Sequence, residues 1–249
     1  LSIYKLVACD TDSIKICRTD GKPMSQEEQD NILKRMDSKT PELIRLEEDG
    51  YYEKFLVIKS KNYVTYDGKK TKYKGSSIKD QKKEPALRKF MNSAISLIMN
   101  HPEDYNLKLQ ALYQSYCRKA LEIDNINDWA VKKTVTRSVI NETTSGQANI
   151  NAAIKGRGFS EGDKIWLYVK EDPEKPADVN KKKYALIEDF GGEYHIWHYV
   201  KRVYDTLSIL ENLIDIKQFI KYHNKSNRSK LEELCNESKK EEEEQKSAG

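Results

Sequence analysis

Asp10-Thr11-Asp12-Ser13 is the segment whose residue types and spacing could do chemistry. Two carboxylates one residue apart, set between β-prone runs, project near a turn where backbone bends bring both towards one point. Hard divalent cations such as Mg2+ take oxygen ligands, accept few of them from protein, and share the rest with phosphate and water. A pair of such ions can activate an attacking oxygen and stabilise a leaving one in phosphoryl transfer. The same residues also suit an Asx-type turn with solvated carboxylates.

The elements that must position these groups follow from periodicity. Ile3 to Ala8 and Ser13 to Cys17 read as two strands of a hairpin. Ser25-Gln26-Glu27-Glu28 is a capping box opening a helix with Ile32, Leu33 and Met36. Leu43 to Glu48 and Tyr52 to Lys59 are expected to form a hairpin across Asp49-Gly50, and Asn62 to Tyr66 and Lys70 to Lys74 another across Asp67-Gly68. At Pro85 the period changes to helical, with Leu87, Phe90, Ala94, Leu97 and Ile98, until His101-Pro102. A second helix carries Leu107, Leu109, Leu112, Tyr116 and Leu121. Trp129 to Arg137 alternates like a strand, Ala148 to Ile154 is helical, Lys164 to Lys170 is a strand, and Glu193 to Leu213 is a longer amphipathic helix. The fold class expected is α+β: antiparallel β with one helix, followed by a mostly helical part with a few strands. The charge-rich stretch after Lys225 is expected to be frayed or flexible.

Composition narrows the function classes. The net charge is +4, from 44 basic and 40 acidic residues, and is unevenly distributed. Between Lys54 and Lys89 twelve basic residues face three acids, whereas Glu241 to Glu244 form an acidic run near the end. A basic block beside a near-neutral remainder suits a phosphate-rich partner, or a solvated lysine face. Four cysteines (Cys9, Cys17, Cys117, Cys235) form no C-x-x-C and no disulfide framework, which points to a reducing, intracellular setting such as cytoplasm or nucleoid. No apolar run approaches the roughly 18 residues of a membrane span, so no membrane partner is expected. Leu1 leads almost directly into a strand, and a segment upstream of it is therefore expected.

Other enzymes share D-x-D. In haloacid-dehalogenase-type phosphatases the motif continues as D-x-D-x-T or D-x-D-x-V, but here position 14 is Ile and no Asp-Asp pair in strand context follows. A D-x-D nucleotide-sugar transferase leaves the basic hairpin downstream without a role.

Val7-Ala8-Cys9-Asp10-Thr11-Asp12-Ser13-Ile14 resembles motif C of family B DNA polymerases, Y-x-D-T-D-S, with Ala8 at the tyrosine position. Lys59-Ser60-Lys61-Asn62-Tyr63 is similar to that family's K-K-R-Y strand, with Asn62 in place of Arg, and Lys74-Gly75 to the K-G pair that ends the next strand. Gln147 to Ala153, Arg157-Gly158 and Gly162-Asp163-Lys164-Ile165 resemble the thumb, which reads as an Ala-rich helix before R-G and G-D-[RK]-I. His198 to Leu210 resembles a late thumb helix, so the likeness runs over roughly residues 1–215.

The resemblance implies a partial palm over residues 1–84, a thumb over 85–224 and a charged tail over 225–249. It implies template-directed DNA synthesis by two-metal nucleotidyl transfer, with Asp12 and Asp10 as catalytic and Mg2+-holding carboxylates. The other carboxylate and the nucleotide-clasping residues would lie upstream. Primer-template DNA and deoxynucleoside triphosphates are the implied partners, along with the missing N-terminal polymerase segment or subunit. Lys61, Tyr63, Lys74 and Gly75 would face the duplex near the active site, and Lys132, Lys133, Arg137, Lys155 and Arg157 would contact phosphates from the thumb. A non-catalytic nucleic-acid-binding module is the alternative. His195 and His198, three residues apart, lack a third ligand in the sequence and are expected to pack rather than bind metal.

Overall fold

The computed structural model describes residues 3–10, 12–79, 83–101, 103–172, 178 and 180–247, with side chains as far as Glu237. Thr11 of the D-T-D-S run, Asp80 and Lys82 of the basic block, and Pro102 lie outside the described residues. The chain forms two compact units, Leu1–Lys79 and Asp80–Gly249. Three small antiparallel sheets and eight helices make up the described residues, an α+β fold as expected from the alternation of periods.

In the first unit, β1 (Tyr4–Asp10) pairs with β2 (Ser13–Arg18) from Tyr4↔Arg18 to Asp10↔Ser13. The register steps by one residue between Leu6 and Ala8, a bulge that re-aims the strand end bearing Asp10. Helix α1 (Gln26–Asp37) opens on the capping box read from the sequence: the Glu28 N–H donates to Ser25 Oγ, and the Ser25 N–H donates to the Glu28 carboxylate. Arg18 on β2 also reaches Glu28, tying the hairpin to the helix. Strands β3 (Lys54–Lys59), β4 (Asn62–Tyr66) and β5 (Thr71–Lys74) form a second sheet in that order, followed by the single turn α2 (Ser76–Lys79). Its core is small: Ile58, Val64 and Ile78, with Asn62 and Thr65 also buried.

The expected strand at Leu43 to Glu48 is absent, and Asp49-Gly50 makes no hairpin. Local bonds take the backbone groups a ladder would need. The Ile44 N–H donates to Pro41 O, Thr40 Oγ1 donates to Ile44 O, and the Leu46 N–H donates to the Asp37 carboxylate. Leu43 is 98% exposed, so no sheet face holds it.

The second unit is built on α3 (Pro85–Asn100), α4 (Tyr105–Leu121) and, later, α7 (Ile196–Leu207), which pack together through Leu87, Phe90, Leu109, Tyr113, Val203 and Leu207. Glu84, which precedes α3, is 3% exposed and receives both Nε and Nη2 of Arg202 on α7, at 3.0 and 2.8 Å. The third sheet has β7 (Lys164–Lys170) between β6 (Val131–Thr134) and β8 (Lys183–Leu186). It packs with α5 (Arg137–Ile140) and α6 (Ser145–Ile154) around Val135, Val139, Ile154, Ile165, Leu167 and Leu186.

Several boundaries differ from the sequence reading. Strand β6 stops at Thr134, because Thr136 accepts the Val139 N–H and starts a helix at Arg137. Strand β8 has only four residues and carries little periodicity. The helix expected over Glu193 to Leu213 is shorter, since His195 caps its start and the chain tightens to a 3-10 turn over Ser208–Leu210. Where fraying was expected, Lys225–Ser247 form helix α8, whose first turns bury Leu231 and Cys235. Among the described residues no helix is long and apolar enough to cross a membrane.

Candidate active site and nucleic-acid interface

Asp10 ends β1, Ser13 opens β2, and Asp12 lies in the connection between them. Both carboxylates are exposed at the hairpin tip. Lys61 Nζ comes within 3.8 Å of Asp10 Oδ1, so the structure brings together a carboxylate and a lysine that lie 51 positions apart in the sequence. Both side chains are largely solvated, and a pair of this kind contributes roughly 0–1 kcal/mol to stability.

Lys61 lies not within a strand but in the Ser60-Lys61 connection of the β3–β4 hairpin, at φ 58°. That is the left-handed region, uncommon for a residue with a Cβ. Asn62 explains how the turn is held. It is 6% exposed, donates from Nδ2 to Ser60 O at 2.8 Å, and accepts the Ser77 N–H on Oδ1 at 3.0 Å. The position matching an Arg in the family pattern is here a buried structural hub. Gly75 completes it: at φ 104° its Cα sits where an added Cβ would collide with the Asn62 side chain and the Lys61 carbonyl oxygen. Gly75 thus serves the close approach of two backbones and the start of α2.

Tyr63 pairs across the sheet with Val57 on one side and Lys74 on the other, which sets Tyr63 and Lys74 on one face. Phe55, on that face, stacks on Tyr63 with ring centroids 4.9 Å apart and planes at 20°. Asp10, Asp12, Phe55, Tyr63 and Lys74 line one open groove of about 1270 Å3 within the first unit. Phe55 escaped the sequence reading, although its position two residues before Val57 on an alternating strand would have placed it beside Tyr63. The arrangement offers hard oxygen donors at one wall and an ammonium with an aromatic plate at another.

The basic residues singled out in the second unit differ in their surroundings. Lys132 and Lys133 are consecutive on β6, so they project to opposite faces of the sheet. Lys132 stands with Trp166, its Nζ 5.8 Å from the ring centroid, whereas Lys133 pairs with buried Ile165. Arg137 is exposed at the start of α5 and Lys155 at the end of α6. Arg157 is already engaged, its guanidinium forked onto the Asp189 carboxylate at 2.9 and 2.7 Å. Of the five candidate phosphate contacts, alternation thus sets Lys132 and Lys133 on opposite faces of the sheet, and Arg157 carries an ion pair at the surface. Of the two histidines, His195 is fully buried and accepts the His198 N–H on Nδ1, and His198 is buried beside Tyr199. Among the described residues no group of three His, Cys, Asp or Glu side chains could hold a metal ion.

No protein-family model and no curated protein sequence matches the chain. Among solved structures it is similar to the family B DNA polymerase from the hyperthermophilic archaeon Pyrobaculum calidifontis, with a TM-score of 0.63 at 14% sequence identity. The match covers 85% of this chain and 27% of that one. At such identity the likeness is one of fold: the chain is built like part of a family B DNA polymerase and spans about a quarter of its length.

Proposed function

We propose that the chain is the carboxylate-hairpin and thumb portion of a family B-like DNA polymerase, acting in template-directed nucleotidyl transfer on a primer-template duplex. The observation that carries this reading is one groove lined by Asp10, Asp12, Tyr63 and Lys74, in a fold similar to part of such an enzyme. Asp12 and Asp10 suit Mg2+ in donor chemistry, being exposed hard oxygens at a hairpin tip. They make half of a ligand set, and the rest would come from phosphate, water and a carboxylate outside the described residues. When bound, paired divalent ions would supply activation of the primer hydroxyl and charge stabilisation of the departing pyrophosphate.

The chain's own residues do the positioning. Asp12, in the connection, is the principal ligand in this reading, and Asp10, with Lys61 beside it, tunes the local charge. Lys74 and Tyr63 hold the duplex by charge and by aromatic packing against a sugar, contacts that fix register without reading sequence. The remaining catalytic carboxylate and the nucleotide-clasping residues belong to a further polymerase segment or subunit, so the 249-residue chain alone incorporates no nucleotide.

Primer extension by the assembled polymerase tests this. Asp12→Asn is expected to lower nucleotide incorporation about 100-fold or more, with duplex affinity held within about twofold. The Asp10–Lys61 pair, which sets an ammonium beside one of the two carboxylates, favours a second reading, a non-catalytic nucleic-acid-binding module. That reading wins if Asp12→Asn leaves function intact while Lys61→Glu and Lys74→Glu abolish it.

A further inference from the structure

Between Ile216 and Lys230 the sequence has five cations (Lys217, Lys221, Lys225, Arg228, Lys230) and no acid. The fold concentrates three of them. A 3-10 turn at Ile216–Gln218 leads into a segment anchored by burial of Phe219 and Tyr222, and the Tyr113 hydroxyl donates to Ile220 O at 2.7 Å. With those residues turned inward, Lys217, Lys221 and Lys230 stay exposed around a surface pocket that Tyr204, Asn224 and Asn227 also line. Lys221 Nζ lies 5.2 Å from the centroid of the Tyr204 ring. Among the described residues none of the three lysines has a carboxylate within 4 Å. The nearest acid before them, Asp215, is turned to the 3-10 turn itself, accepting the Lys217 N–H and Gln218 Nε2, and Glu232 and Glu233, which follow Lys230, come within 4 Å of none of the three ammonium groups among the described residues.

Uncompensated ammonium groups crowded round a concavity repel one another, and an anion relieves that repulsion. Lysines supply point charges suited to phosphate, and side-chain amides add neutral donors. We propose that this pocket takes a phosphate of a nucleic-acid backbone, held by Lys217, Lys221 and Lys230 with the Asn224 amide as a neutral donor. The phosphate chemistry follows from the pocket; its assignment to a nucleic acid rests on the polymerase reading.

The test titrates labelled primer-template duplex, and separately inorganic phosphate, into the full 249-residue chain, following fluorescence anisotropy against salt and the backbone amide NMR signals of residues 216–230. Duplex is expected to shift those amides. The triple variant Lys217→Gln, Lys221→Gln, Lys230→Gln is expected to bind duplex about tenfold more weakly, with the slope of log K against log salt reduced by about one. A control triple variant with the same loss of charge, Lys34→Gln, Lys39→Gln, Lys181→Gln, all exposed and outside both the pocket and the Lys54 to Lys89 block, should stay within about twofold of wild type. The proposal is overturned if both triple variants weaken binding equally, if the pocket variant binds duplex like wild type, or if the wild-type chain binds no duplex. Pocket amides that answer to inorganic phosphate and not to duplex overturn the nucleic-acid assignment and identify a free-phosphate site. The polymerase reading is judged apart from all of these, by Asp12→Asn in primer extension with the three lysines intact.

Discussion

At φ 58° Lys61 occupies a conformation that costs an L-residue about 1 kcal/mol relative to glycine, yet a lysine stands there with its ammonium beside Asp10. Asn or Gly is the residue such a turn favours, so the lysine is placed against local preference. Backbone and side chain can therefore be separated by experiment. Lys61→Gly should stabilise the chain by about 0.5 kcal/mol in urea unfolding, because relief of the strained φ exceeds the added entropy of glycine in the unfolded state. On the polymerase reading proposed above, both Lys61→Gly and Lys61→Ala should weaken primer-template binding and lower its salt slope by about one. A stabilised variant with an unchanged slope would leave Lys61 a turn residue with no phosphate contact.

Helices α3 and α7 meet at a buried ion pair, Glu84 with Arg202, where the carboxylate is almost wholly enclosed and receives two parallel N–H bonds. Neither group would be retained there by its own hydrophobicity, and the pair holds only because both halves are present. Removing one partner leaves the other charge desolvated, so Glu84→Ala should cost about 3 kcal/mol in urea unfolding. A double replacement of Glu84 and Arg202 by apolar residues of similar volume should recover most of that loss. In the first unit the packing is thinner. Helix α1 buries no residue, and Leu6, Ile14, Leu43 and Ile44 are exposed large apolar side chains. The contacts of Arg18 and of the Tyr4 hydroxyl with the Glu28 carboxylate, rather than a core, hold the β1–β2 hairpin to the helix.

The stability of the second unit carries a pH dependence of definite sign. Burial, and after it the charge of Lys201, holds the His223 ring below its usual range, with Lys221 and Arg228 acting in the same direction and Asp205 opposing them. Its Nδ1 is buried without a hydrogen-bond partner among the described residues. The unfolded ring binds its proton near pH 6.5 and the folded ring only at lower pH. The unfolded state therefore takes up more protons as pH falls through that window. Stability is complete above about pH 6.5 and declines towards the folded value. Urea midpoints measured from pH 7.5 to 5 should fall more steeply for the wild-type chain than for His223→Gln; parallel curves would show that the ring titrates alike in both states.

Much of the local structure was legible in the residues themselves, because it depends on local rules. Strand-turn-strand around Asp10 and Asp12, the Ser25–Glu28 capping box, the Asp67-Gly68 hairpin and the helix opening at Pro85 all follow from side-chain period and turn chemistry within a dozen residues. The failures lie where distant groups compete for the same backbone or side chain. Leu43 to Glu48 has the composition of a strand, but Asp37 and Thr40 satisfy its backbone first. Arg157 gives no sign in sequence of the ion pair it makes with Asp189, 32 residues later. Only the tertiary structure set Lys61 next to Asp10, stacked Phe55 on Tyr63, made Asn62 a buried hub, and gathered Lys217, Lys221 and Lys230 about one pocket. Period and propensity act over a few residues, whereas charge, stacking and enclosure depend on distances that the chain sets only once it has folded back on itself.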